Sequence, residues 1–244
     1  MKHDFLDKYA GLNTVLHRLD PRSKIIAFTF SLIMVVSETK VGEYHFVVYY
    51  LILAILIIIS KVSLIFILKR TLMTSPFIII TAASIPFSFW LTNGFIDNNS
   101  ITLAILVILK ALFAIILLTL LTSIEKFHIL LAGFRKLKMP ALFGIISAMM
   151  YRYIFILIDE LHRTRFARES RSPGNYVSNR FKIYGNQAAV IFIRSWNRAD
   201  MVYQSMLARG FNGTFPEMKN LNFKLTDSIF VMIIILTFSM IRLL

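Results

Sequence analysis

Five apolar blocks constrain this chain more than any other feature. They cover residues 24–37, 44–60, 74–92, 101–123 and 225–243. A helix needs about 20 mainly apolar residues to cross a bilayer core roughly 30 Å thick. Only the first block falls well short, and its flanks can extend it. Each block is continuously apolar rather than alternating, which is the pattern of a buried or lipid-facing helix. The chain is 57% hydrophobic, against about 45–50% in a soluble domain. The expected fold class is therefore an all-α polytopic membrane protein. It has about five transmembrane helices plus a cytoplasmic set of amphipathic helices.

Composition removes several kinds of chemistry. There is no cysteine, so no disulfide, thiol nucleophile or thiolate metal site can form. The five histidines, at 3, 17, 45, 128 and 162, show no ligand-like cluster, so no metal site is expected. The net charge of +14 suits cytoplasmic loops facing anionic lipid, or a surface that docks an acidic partner. Nucleic acid is not an expected partner, because the basic residues form no recognisable binding module. The first 24 residues lack the apolar core and cleavage site of a signal peptide, so the first span is expected to direct insertion.

Charge between the blocks predicts orientation. The N-terminal 24 residues hold five Lys/Arg, and the 61–70 connection holds Lys61, Lys69 and Arg70. The 38–43 connection has only Lys40 against Glu38 and Glu43, and 93–100 has no Lys or Arg. The positive-inside rule then puts the N-terminus in the cytoplasm. Four spans later the chain is cytoplasmic again, and residues 124–224 carry 16 Lys/Arg against 6 Asp/Glu. The expected organisation is a four-span bundle over 1–123, a cytoplasmic domain over 124–224, and a last span over 225–244. Within the spans, Pro86 is expected to kink the third helix. Lys110 in the fourth either carries a role or faces the bundle interior or snorkels.

Residues 139–158 are apolar enough to span as well. Arg152 lies in their middle, and basic clusters lie on both sides. A span would place one cluster on the wrong side. The segment is read instead as an interfacial helix with Pro140 in its first turn. The cytoplasmic region then contains three helices, near 124–137 (starting at Ser123), 140–168 and 181–209. A turn at 172–179 separates the last two. On the third helix Ala188, Phe192, Ser195, Ala199, Val202 and Met206 form a stripe, with Arg194, Arg198 and Ser205 on another face, the pattern of an amphipathic interface helix.

The two long helices end alike. DELHRTRFARE begins at Asp159 and DMVYQSMLARG at Asp200, and Asp, Ala and Arg recur 41 residues apart, at 159/200, 167/208 and 168/209. An Arg in a last turn is ordinary, since it complements the helix dipole. Two basic helix ends on one face could equally enter two equivalent acidic grooves, because the guanidinium fork binds carboxylates bidentately.

These residues carry a family resemblance over nearly the whole chain. HRLDPRSK (17–24), the 139–171 helix with its Tyr-Arg-Tyr, and RSWNRADMVYQSMLARGFNG (194–213) resemble the transmembrane T component of energy-coupling factor (ECF) transporters, the CbiQ/EcfT family. The last stretch looks most like the cobalt/nickel branch. The resemblance implies a coupling subunit between a membrane substrate-binding subunit and two cytoplasmic ABC-type ATPases. ATP and Mg would be bound by those ATPases, and no cofactor by this chain. It implies docking motifs at Ala167, Arg168, Glu169 and at Ala208, Arg209, Gly210. Asp159, Glu160, Arg194, Arg198 and Asp200 would support them. Glu169 departs from the second copy, which has Gly210.

Three other readings were open. A T component for a vitamin is the nearest of them, although by resemblance such components often end differently. A membrane-embedded enzyme would use His17 and Asp20 as an acid/base pair, yet Asp20-Pro21 also reads as a helix start. A stand-alone secondary transporter would show inverted repeats and broken midplane helices. There is no Gly-x-x-x-x-Gly-Lys-[Ser/Thr] loop, so any ATP energy must come from a partner.

Overall fold

The computed structural model describes residues 11–12, 14–38, 43–95, 98–171, 180–213 and 223–243. The 172–179 turn, Lys40, and the residues before 11 and at 214–222 lie outside the described residues. Among the described residues there are nine helices and no strand. They are α1 (Val15–Arg18), α2 (Pro21–Val36), α3 (Glu43–Ser60), α4 (Leu64–Asn93), α5 (Asn98–Ile124), α6 (Phe127–Lys136), α7 (Ala141–Arg171), α8 (Arg180–Ala208) and α9 (Leu225–Leu243). The chain is all-α, as its apolar blocks imply. It divides into two compact units, Met1–Leu137 with Lys219–Leu244, and Lys138–Met218.

Four helices are long and apolar enough to cross a membrane: Leu64–Leu91, Asn98–Ile124, Ala141–Arg171 and Leu225–Arg242. Tyr44–Ser60 is a shorter apolar helix. At 16 residues α2 is about 24 Å long, below the bilayer core. The chain is a multi-pass membrane protein. α7 meets the length and hydropathy for a span, although its flanking charge argues against one.

The first unit is a bundle around α2, which packs on α5, α6 and α9. Its core gathers Phe28, Val35, Tyr49, Phe113, Leu117 and Phe238. Tyr49 stacks on Phe238 with ring centroids 5.2 Å apart, and Tyr50 donates from its hydroxyl to the Leu109 carbonyl at 2.8 Å. α2 starts where the Asp-Pro pair predicts. Asp20 is its N-cap and accepts from the Arg22 amide at 2.9 Å, and Pro21 occupies the first turn. That capping role is the helix-start reading of Asp20, set against its reading as a catalytic acid.

A polar knot closes one end of this unit. Lys24 is fully buried and donates to Glu125, with the His17 carbonyl a second acceptor at 3.2 Å. Asp227, also buried, accepts from the Asp20 amide at 2.8 Å and from the Lys224 amide at 2.8 Å. The knot ties the start of α2 to the end of α5 and the start of α9. Gly133 lets α6 press onto the same place. A Cβ there would lie 2.9 Å from Ile25 Cδ1 and 3.2 Å from Pro21 Cβ.

Several sequence expectations shift. Most of the basic 61–70 connection is helix. α4 begins at Leu64, because Lys69 and Arg70 propagate a helix well and nothing breaks the run. At 30 residues α4 is about 45 Å long, enough to carry that basic stretch beyond the hydrocarbon. α4 is helical through both Pro76 and Pro86. The carbonyl freed by Pro76 belongs to Leu72, and the Ser75 hydroxyl donates to it at 2.9 Å. The helix expected to start at Ser123 starts at Phe127 instead. Ser123 still belongs to α5, and Glu125 turns inward to meet Lys24. Lys110 has a structural task. Its ammonium donates to the Val36 carbonyl at 2.8 Å and to the Glu38 carbonyl, which satisfies the C-terminus of α2.

Candidate functional site

The second unit contains α7 and α8, which pack against each other. α7 opens after Pro140, whose carbonyl accepts from the Phe143 amide at 3.1 Å. One of its faces is apolar and exposed: Leu142, Ile146, Met150, Ile154 and Ile158 recur at helical spacing. An apolar stripe of that length needs lipid or protein over it.

The inward line of α8 differs from the expected one. Gln187 is buried, and Ile183, Ile191, Ser195, Arg198, Val202 and Met206 are half-buried. Ala199 is exposed, and Ala188 and Phe192, though also exposed, border the groove toward α7 together with Ser195. Ser195, Val202 and Met206 were placed correctly, whereas Arg198 belongs to the inward face. The reason is that α8 is apolar on more than one side. Phe192, Ile193, Trp196 and Met201 are exposed around it, so hydrophobicity alone does not fix the phase. A groove of about 670 Å³ lies between the helices, lined by Leu157, Leu161, Ile191 and Phe192 together with Arg165 and Arg168.

Of the supporting residues, Glu160 and Arg194 are brought together as an ion pair linking α7 to α8. Asp159 is half-buried and Asp200 is exposed. No described contact joins Asp200 to the two Ala-Arg motifs.

The two Ala-Arg motifs are built differently. Ala167 is exposed, and Arg168 lies inside α7, which continues to Arg171. The expected end at 168 is corrected, because Glu169 propagates the helix where a glycine would stop it. Arg168 has neighbours on three sides. Its Nη1 donates to Gln187 Oε1 at 3.3 Å, its guanidinium carbon lies 5.5 Å from the centre of the Tyr184 ring, and its Nη2 is 3.6 Å from Glu169. Glu169 in turn accepts from Arg165 Nε at 2.8 Å. That hydrogen bond holds the Glu169 carboxyl below the usual carboxylate range.

The second motif is a helix end. α8 stops at Ala208, and Gly210 adopts a left-handed φ of 79°. The Gly210 amide donates to the Leu207 carbonyl at 2.9 Å and the Phe211 amide to the Met206 carbonyl at 3.0 Å. Those two bonds form a Schellman cap, with Arg209 at the C-cap position. Ala208, Arg209 and Gly210 are exposed, and the Arg209 side chain has no hydrogen-bond or ion-pair partner among the described residues.

A family model described as CbiQ, cobalt transport protein, matches residues 12–221. The chain belongs to the CbiQ family. That is a family of membrane transporter components, and it bears out the resemblance to ECF T components. An energy-coupling factor transporter transmembrane protein EcfT of Staphylococcus aureus is 26% identical over 254 residues, covering 94% of this chain and 92% of that one. A fused cobalt transport protein CbiMQ of Methanocorpusculum labreanum is 30% identical over 118 residues, 48% of this chain and 20% of that one. An uncharacterised Methanocaldococcus jannaschii protein is 36% identical over 90 residues, and that match spans only 32% of its length.

For this CbiQ-family chain, sequence reasoning missed Tyr184 and Gln187. The available signal was their position on α8: Tyr184, Gln187 and Ile191 fall at three- and four-residue steps, along the line that faces α7.

Proposed function

We propose that this chain is the transmembrane coupling subunit of an ATP-driven ECF-type importer, with cobalt or nickel as cargo. Two cytoplasmic ABC-type ATPases bind ATP and Mg, and a separate membrane subunit captures the ion. Ala167-Arg168-Glu169 and Ala208-Arg209-Gly210 dock the ATPases, one motif to each, with both motifs and the N-terminus on the cytoplasmic side. Closure of the ATPases moves α7 and α8, and the exposed apolar stripe of α7 passes that movement to the substrate-binding subunit.

The observation that supports this reading best is Arg209. It is an exposed cation on a rigidly capped helix end, with no intrachain partner among the described residues, in a chain of this family. A planar fork so presented suits a carboxylate in an acidic groove. Breaking a desolvated charge pair at an interface costs about 2–5 kcal/mol.

Co-expression with candidate ATPase subunits and pull-down tests the reading. Arg168→Ala and Arg209→Ala should each weaken assembly, and the double variant should abolish uptake of radiolabelled cobalt or nickel in membrane vesicles. Wild-type uptake by the double variant would sink the docking role. Uptake of a vitamin in place of a metal ion would keep the coupling role and change the cargo.

A further inference from the structure

We infer that the two Ala-Arg motifs are unequal docking elements: Arg209 meets an acidic partner surface directly, whereas Arg168 must first exchange partners it already holds within the chain. The inference rests on the docking role proposed above and concerns which residues set the strength of each dock.

The guanidinium has five N–H donors in a rigid fork, and a carboxylate engages one edge of it. In Arg168 the terminal edge is taken. Gln187 Oε1 accepts from Nη1 at 3.3 Å, and Glu169 Oε1 flanks Nη2 at 3.6 Å. One face is covered by the Tyr184 ring at 5.5 Å. Glu169 is itself held in place by Arg165 at 2.8 Å. An anion, a neutral acceptor and an aromatic face together imitate what an acidic groove would offer. An incoming carboxylate gains only the difference between the two sets of contacts.

Besides Tyr184 and Gln187 on α8, one residue next to each Arg adds to the difference. After Arg168 the chain has Glu169, which keeps the helix going and sits four residues from Arg165. After Arg209 it has Gly210, whose left-handed φ of 79° ends the helix and which carries no side chain to compete. The Arg209 backbone is fixed by the cap while its fork is unoccupied among the described residues. Tyr184, Gln187 and Glu169 are thus positioning residues for the first dock, and they act by competition.

The test uses the full-length chain in nanodiscs and the co-expressed ATPase pair, with the dissociation constant as readout. Arg209→Ala leaves only the first motif and should bind several-fold more weakly than Arg168→Ala, which leaves only the second. In the Arg209→Ala background, Glu169→Gln and the charge-neutral Tyr184→Leu should each tighten binding about threefold, the size of one exposed ion pair or cation–π contact. In the Arg168→Ala background neither should change it. All these side chains are solvent-accessible, so the variants are expected to fold, and size-exclusion profiles check this. Unchanged or weaker binding on Tyr184→Leu in the Arg209→Ala background would overturn the exchange. So would an equal response to Glu169→Gln in both backgrounds, which would mark a general charge effect. Full binding by the Arg168→Ala/Arg209→Ala double variant would instead overturn the docking reading and, with it, this one.

Discussion

Two of the chain's cation–glutamate pairs look equivalent on paper. Lys24–Glu125 lies in the helical bundle, with side chains 0% and 7% exposed. Arg165–Glu169 lies at the end of α7, with side chains 60% and 46% exposed. The difference teaches what each can do. Away from water, neither partner of the first pair can leave without stranding a charge, so the pair is a permanent tie. In water the second pair is worth little and exchanges freely, so it can give way to another ligand. The first holds the bundle together, and the second leaves the end of α7 adjustable.

The strongest way to break this comparison is to remove one member of the buried pair. Glu125→Ala should lower unfolding stability by about 3–5 kcal/mol, read by thermal unfolding in detergent. Replacing both members by apolar residues, as in Lys24→Met with Glu125→Leu, should recover most of that loss. If it does not, the pair is more than a buried tie. A loss confined to packing beside the knot sharpens the point. Gly133→Leu drives side-chain atoms into Ile25 and Pro21 and should cost about 1–3 kcal/mol in the same assay.

Smaller effects belong to the second unit. Gly210→Ala places a Cβ at a left-handed φ and should destabilise the end of α8 by about 1–2 kcal/mol. Hydrogen exchange at the Gly210 and Phe211 amides should report it while the bundle is unmoved. Arg165→Ala should leave the unfolding midpoint where it is, because its pair is solvated. A clear drop there would mean that the exposed pair is as structural as the buried one.

Much of this was legible in the amino acids. Three of the five apolar blocks coincide with helices long and apolar enough to cross a membrane, Asp20-Pro21 marked the start of α2, and Gly210 marked the end of α8. The repeat at 167–168 and 208–209 pointed to the candidate site, and RSWNRADMVYQSMLARG carried the family. The phase of α8 was not legible, because Phe192, Trp196 and Met201 make several of its faces apolar. Neither was the length of α4. Lys69 and Arg70 signal a position beside the membrane, and the same residues are good helix formers. Lys110 looked like an intramembrane oddity until the C-terminal carbonyls of α2 were seen around it.

Local covalent chemistry settled two helix ends by itself, the Asp20-Pro21 start of α2 and the Gly210 stop of α8, and long apolar runs must leave water in any fold. The pairings across the chain could be decided only by the tertiary structure. Lys24 and Glu125 are 101 residues apart, and Asp20 and Asp227 are 207 apart. No local rule joins such distant residues, and their partnership follows from helix packing alone. The same holds for Arg168. Its sequence neighbourhood shares Asp, Ala and Arg with that of Arg209, yet only the fold shows that Tyr184 and Gln187 of the next helix hold the Arg168 fork.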